Sequence, residues 1–113
     1  MTVTIWHNPA CSNSRGALAL IREAGIEPVV VNYLGAPPDV ATLRQVLAES
    51  GLTAIDLVRS KEPQFVELGL ASADEATLLA AMAKHPRLIN RPIVRTPKGT
   101  RLCRPPETVQ ELL

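Results

Sequence analysis

The sequence predicts an α/β fold in which the elements follow the order β-α-β, a helical insertion, then β-β-α, with a mixed sheet of four strands. Two apolar runs near the N-terminus flank one helical stretch, which is typical of a βαβ unit with a right-handed crossover. A long middle segment has apolar residues at helical spacing. Two further apolar runs are joined by residues 97–99, Pro-Lys-Gly, which predict a hairpin turn.

The first three elements lie within about thirty residues. The apolar alternation of residues 3–6 predicts a strand, and residues 16–24 predict a helix that ends at Gly25 in a left-handed cap. Residues 27–33, Glu-Pro-Val-Val-Val-Asn-Tyr, are β-branched and continuous. Such a run predicts a buried strand, parallel to the first.

The middle of the chain, at about residues 37–86, predicts a helical insertion within a single domain that spans residues 1–113. Residues 72–75, Ser-Ala-Asp-Glu, have the pattern of a capping box, which opens a helix that stops before Pro86. The other predicted helices lie at about residues 40–51, 55–58 and 62–68.

The last third of the chain predicts two strands and a helix. Within residues 88–94, an Arg-Pro dipeptide immediately precedes the third predicted strand. The Arg91–Pro92 bond is a candidate for the cis form, since only X–Pro bonds adopt it at modest cost. Residues 100–103 return as the next strand, and a final helix runs from Arg104 to the C-terminus. This order, with a cysteine at the first strand-to-helix turn and a proline before the third strand, is the thioredoxin-like plan.

Cys11 is the candidate nucleophile because it lies at the turn between the first predicted strand and the first predicted helix. Free backbone N–H groups and the positive end of the helix dipole favour a thiolate there. Ser14 occupies the place where a dithiol motif has its second cysteine. Its hydroxyl can donate to the sulfur but cannot form a disulfide, so the motif predicts a single-thiol nucleophile. Arg15, near the helix start, is expected to face solvent or substrate.

Composition excludes several other classes of protein. Apolar residues make up 46% and charged residues 20%, and the net charge of +1 gives no reason to expect a nucleic-acid or membrane-surface partner. No apolar run approaches the roughly 18 residues of a membrane span. We therefore expect a cytoplasmic protein with reduced thiols. Cys103 is expected to be a packing residue, and the Cys and His spacing predicts no metal site.

Three segments, HNPACSNSR at 7–15, NRPIV at 90–94 and GTRLCRPPE at 99–107, together resemble the glutaredoxin-linked arsenate reductases. The resemblance covers essentially the whole chain. It implies that arsenate is reduced to arsenite with electrons from glutathione and glutaredoxin. Glutathione would then be a co-substrate, and no bound cofactor is implied.

The same resemblance implies roles for individual residues. The nucleophile of that family corresponds to Cys11, its nearby histidine to His7, and its thiolate-bonding serine to Ser14. From the residues alone, His7 either supports the thiolate through space or only ends a strand. The three anion-binding arginines of the family correspond to Arg59, Arg91 and Arg104.

Two other functions remain open from the sequence. One is a glutathione-dependent thiol oxidoreductase with another substrate, and the other is a non-enzymatic regulator resembling the Spx proteins. The three arginines favour an oxyanion over a peptide or disulfide substrate. Ser14 counts against the regulator, because Spx proteins commonly have a second cysteine at that place.

Overall fold

The computed structural model, which describes residues 2–113, contains one mixed sheet whose four strands lie in the order β2-β1-β3-β4. The strands are β1 (Thr4–Trp6), β2 (Val29–Val31), β3 (Ile93–Thr96) and β4 (Gly99–Leu102). β1 pairs with β2 in parallel and with β3 antiparallel, and β3 and β4 form an antiparallel hairpin. This sheet and the order of the elements confirm the predicted α/β, thioredoxin-like fold.

The described residues group into two units, of which the first combines the chain up to Gly35 with Arg91–Leu113. It contains the sheet, helix α1 (Ser12–Glu23) and a 3-10 helix at Pro106–Leu112. α1 and the 3-10 helix pack so closely that a Cβ added at Gly16 would lie 3.1 Å from Pro106 Cγ. The core of this unit is aliphatic and includes Val3, Ile5, Ala17, Ile21, Val94, Cys103, Val109 and Leu112.

The second unit, Ala36–Asn90, is built from helices. Its inner residues recur at helical spacing, so each longer helix buries one apolar face. Val58 and Ile89 form an isolated antiparallel bridge within it. The helices are α2 (Val40–Ser50), α3 (Ala54–Leu57), α4 (Pro63–Glu67) and α5 (Glu75–Lys84), with 3-10 turns at Leu70–Ser72 and Pro86–Leu88.

The predicted burial of the second strand is wrong. β2 is only three residues long, and the side chains of Val29 and Val30 are 56% and 43% exposed. The physical reason is its place at the edge of the sheet, where one row of its backbone groups has no neighbouring strand and fewer atoms cover its side chains than in a central strand. A continuous β-branched run therefore does not by itself show that a strand is central.

The capping box predicted at residues 72–75 is also wrong. Ser72 belongs to a 3-10 turn, and the N-cap of α5 is Asp74, whose carboxylate accepts from the Thr77 N–H at 2.9 Å. A capping box does form at the start of α3, between Thr53 and Asp56. An N-capping carboxylate two residues further along competes successfully with serine for the helix start.

The Arg91–Pro92 peptide bond is cis, as the sequence suggested, and so is Arg104–Pro105, which the sequence analysis did not single out. The last predicted helix is present as the 3-10 helix Pro106–Leu112. Across residues 2–113, none of the helices is both long and apolar enough to cross a membrane.

Candidate active site

Cys11 lies at the junction between the loop that follows β1 and the first turn of α1. Its backbone is extended, with φ −96° and ψ 122°, which makes it the N-cap residue. Its N–H donates to the Asn8 carbonyl at 3.0 Å, and its own carbonyl accepts from the Arg15 N–H at 3.0 Å. α1 therefore begins at Ser12, four residues before the predicted start, and the half-buried sulfur lies at the positive end of the helix.

The environment of the sulfur favours its ionised form. Partial burial raises the pKa of Cys11, but the backbone N–H of Ser14, the side chain of Arg91 and the backbone N–H of Asn13 lower it more, and the net pKa lies below its ordinary value. The site is suited to a nucleophilic thiolate.

A second guanidinium group, that of Arg104, also reaches the sulfur. Its Nη1 lies 3.9 Å from Cys11 Sγ, at the outer limit of a sulfur hydrogen bond, and donates to the Arg91 carbonyl at 3.0 Å. With the amide of Asn13 turned so that both of its ends are satisfied, its oxygen accepts from Nη1 and Nη2 of Arg104 at 3.3 and 3.2 Å. Asn13 was not among the predicted site residues, because its polar side chain at a helix start reads as ordinary capping chemistry.

His7 and Ser14 form a contact that changes the roles predicted for both. His7 Nδ1 lies 2.6 Å from Ser14 Oγ, which also accepts from the Asn8 N–H at 3.0 Å. The buried hydroxyl is therefore engaged with the loop, and it is the backbone N–H of Ser14 that acts on the sulfur. Burial and the nearby charges of Arg22 and Arg15 lower the pKa of His7, which favours the neutral form of its ring.

Arg15 is exposed and donates from Nη1 to the Pro9 carbonyl at 2.8 Å, which braces the loop before Cys11. Together with His7 and Arg22 it lines an open groove of about 580 Å³ along α1, which Leu18 and Ala19 also line. Arg15 thus faces solvent, one of the two predicted outcomes. Its part in substrate binding stays a prediction.

Arg59 belongs to the second unit, where it follows α3. Its Nε lies 3.4 Å from Glu62 Oε1, and its backbone N–H donates to the Leu88 carbonyl at 2.6 Å. Both charged side chains are about one-fifth exposed, at 22% and 21%. The structure thus brings together Cys11 and two of the predicted arginines in the first unit, and the role of Arg59 stays a prediction from the resemblance.

Cys103 differs from Cys11 both in burial and in the direction of its pKa shift. It is fully buried in the aliphatic core of the first unit, and burial raises its pKa to about 12. Its Sγ lies 3.8 Å from the Arg101 carbonyl. Within residues 2–113, no three His, Cys, Asp or Glu side chains are grouped so that they could hold a metal ion.

The chain is similar along nearly its whole length to a family model and to several known proteins. The model of the ArsC family matches residues 6–112. An arsenate reductase of Rhizobium meliloti (strain 1021) is 56% identical over all of this chain and 82% of its own length, and one of Escherichia coli (strain K12) is 48% identical over 98% of this chain and 80% of its own. The solved structure of an arsenate reductase from Vibrio cholerae superposes with a TM-score of 0.95 at 44% identity, covering 100% of this chain and 98% of that one. The chain therefore belongs to the ArsC family.

Proposed function

We propose that this chain is an oxidoreductase that reduces arsenate to arsenite, with Cys11 as the nucleophile. The observation on which this chiefly rests is the contact of one cysteine sulfur, at the start of α1, with the side chains of both Arg91 and Arg104. The names of the relatives at 48% and 56% identity point to the same reaction.

The chemistry explains why cations are needed at this sulfur. Arsenate is an anion near neutral pH, so a thiolate must approach a centre that is already negative. Guanidinium groups offset that repulsion and hold the oxygens while the sulfur forms a bond to arsenic and one oxygen leaves as water or hydroxide. The contacts of Arg91 and Arg104 with the Cys11 sulfur support this role for both side chains. We assign the third anion contact to Arg59, as the resemblance implies.

The reduction itself requires an external thiol, since Ser14 cannot supply a second sulfur. Glutathione adds its sulfur to arsenic and displaces a second oxygen as water. A thiolate of glutaredoxin then attacks the glutathione sulfur and forms a mixed disulfide. The electron pair of the arsenic–sulfur bond stays on arsenic and reduces As(V) to As(III). Hydrolysis of the remaining Cys11–As(III) bond releases arsenite and regenerates the thiol.

The neighbouring side chains prepare the nucleophile. We assign to Ser14 a backbone contact with the thiolate, and to His7 the fixing of that serine through its 2.6 Å contact. Arg15 braces the loop through Pro9 and adds positive charge beside it. Because the reaction consumes reduced glutathione, we place it in the cytoplasm.

A coupled assay with glutathione, glutaredoxin, glutathione reductase and NADPH tests this proposal. We expect arsenate-dependent NADPH oxidation by the parent chain and at least a thousandfold loss in Cys11→Ala, on the order expected when a covalent nucleophile is removed. Cys103→Ala is the matched control, and it should keep the parent rate because its thiol is buried and protonated. A parent chain that oxidises no NADPH upon addition of arsenate would falsify the proposal.

A further inference from the structure

Asn13 lies in the first turn of α1 and contacts the active site in two separable ways. Its backbone N–H acts on the Cys11 sulfur. With its amide turned so that both of its ends are satisfied, its side-chain oxygen accepts from Nη1 and Nη2 of Arg104, at 3.3 and 3.2 Å. A substitution of the side chain therefore leaves the first contact in place and removes the second.

The guanidinium group of Arg104 has two edges at which a pair of N–H groups can donate in parallel. The end-on edge is formed by Nη1 and Nη2, and the side-on edge by Nε and Nη2. Asn13 takes the end-on edge formed by Nη1 and Nη2, while the Arg91 carbonyl at 3.0 Å and Cys11 Sγ at 3.9 Å also lie within reach of Nη1. Among the hydrogen bonds within residues 2–113, none uses the Nε of Arg104. The side-on edge, Nε together with the remaining hydrogen of Nη2, is left available. Two parallel N–H groups of this kind match two oxygens of a tetrahedral or planar oxyanion.

We propose that Asn13 is a positioning residue that selects which edge of Arg104 meets the oxyanion. By occupying the end-on edge, it prevents Arg104 from rotating about its side chain to present that edge. The Arg91 carbonyl fixes the same group from a second direction. The inference rests on the proposed function only in that arsenate is the oxyanion, and its test requires no turnover.

Protection of Cys11 against iodoacetamide by arsenate, without glutathione or glutaredoxin, measures binding at this site directly. The quantity of interest is the arsenate concentration that halves the alkylation rate. We expect Asn13→Ala to raise it about ten- to a hundredfold, on the order of the effect of losing a hydrogen bond to a charged group. Ser12→Ala, on the exposed adjacent position of the same helix turn, is the matched control and should behave as the parent.

A double-mutant cycle separates positioning from a general structural effect. In an Arg104→Ala background, Asn13→Ala should cause no further increase, because the group that it positions is gone. The pH midpoint of alkylation without arsenate should move by less than about half a unit, since the backbone N–H groups and Arg91 remain. A disturbed helix start would instead move this midpoint together with the protection.

Several results would overturn the inference. One is an equal half-protecting arsenate concentration for Asn13→Ala and Ser12→Ala, and another is an Asn13→Ala effect that stays the same in the Arg104→Ala background. A third is a shift of the alkylation midpoint that accompanies the loss of protection in Asn13→Ala. The last is a parent chain that arsenate fails to protect. A parent that is protected but does not reduce arsenate contradicts the proposed function and supports the positioning role of Asn13.

Discussion

The surroundings of the two cysteines shift the pKa values of their thiols in opposite directions. Cys11 is half-buried at the start of α1, where backbone N–H groups and Arg91 lower its pKa. Cys103 is enclosed in aliphatic side chains, and burial raises its pKa to about 12. At any given pH Cys11 therefore has a larger fraction of thiolate than Cys103, which makes it the more reactive sulfur of the two.

The rate of alkylation as a function of pH should reveal this difference. Because the thiolate is the reacting form, the midpoint for Cys11 should lie below the free-thiol value of about 8.5. The lowered pKa means that the reactive fraction persists as pH falls past that value and disappears only below the folded midpoint. Iodoacetamide labelling followed by peptide mass mapping assigns the label to each cysteine, with Cys103 as the internal unreactive control. A midpoint for Cys11 at or above the free-thiol value would contradict the described environment.

His7 and Ser14 illustrate a limit of residue-level reasoning. A serine three residues after a cysteine predicts a hydroxyl contact with the sulfur, but the hydroxyl instead contacts His7 and accepts from Asn8. The reason is that a helix start supplies N–H groups for the sulfur, which leaves the hydroxyl to satisfy the loop. Burial and the neighbouring arginines lower the pKa of His7, which favours its neutral ring.

At the level of the elements, the backbone conformation of the capping residue helps to determine where a helix ends. α2 ends at Gly51, which has φ +75° and ψ 5° and donates its N–H to the Leu47 carbonyl at 2.9 Å. A Cβ at this position would meet no atom within 4 Å. Any cost of a side chain here therefore comes from the left-handed conformation and not from crowding.

Substitution of Gly51 tests that statement. Gly51→Ala should lower the free energy of unfolding by about 1 kcal/mol, the cost of placing an alanine in the left-handed region. Gly51→Asn is the matched variant and should lose clearly less, since asparagine tolerates this conformation better. Urea unfolding followed by circular dichroism measures both. Equal losses for Ala and Asn would indicate that contacts, not backbone conformation, set the stability of this helix end.

At the scale of the whole molecule, the chain has two units, each with its own buried residues. The N-terminal and C-terminal segments share the first unit, and the helices between them form the second. We propose that the chain nevertheless behaves as a single domain over residues 1–113, with the helical insertion at about 37–86 that the sequence predicts.

Equilibrium unfolding in urea distinguishes one domain from two. Trp6, the single tryptophan, stacks on Tyr33 with ring centroids 6.5 Å apart and reports on the first unit by fluorescence. Far-UV circular dichroism reports mainly on α2 to α5, because these contain most of the α-helical residues. A single domain should give coincident transitions by the two probes. Two midpoints that differ beyond error would show that the units unfold independently.

The sequence by itself determined the order of the elements, the parallel pairing of β1 and β2 and the place of Cys11 at the strand-to-helix turn. These features depend on local periodicity, turn residues and the handedness of crossovers, all of which are readable over short stretches. Only the tertiary structure decided that β2 lies at an exposed edge, that the Ser14 hydroxyl turns to His7, and that Asn13 holds Arg104. These outcomes depend on which groups compete for the same partner in space, and residues 13 and 104 are brought together only when the chain folds.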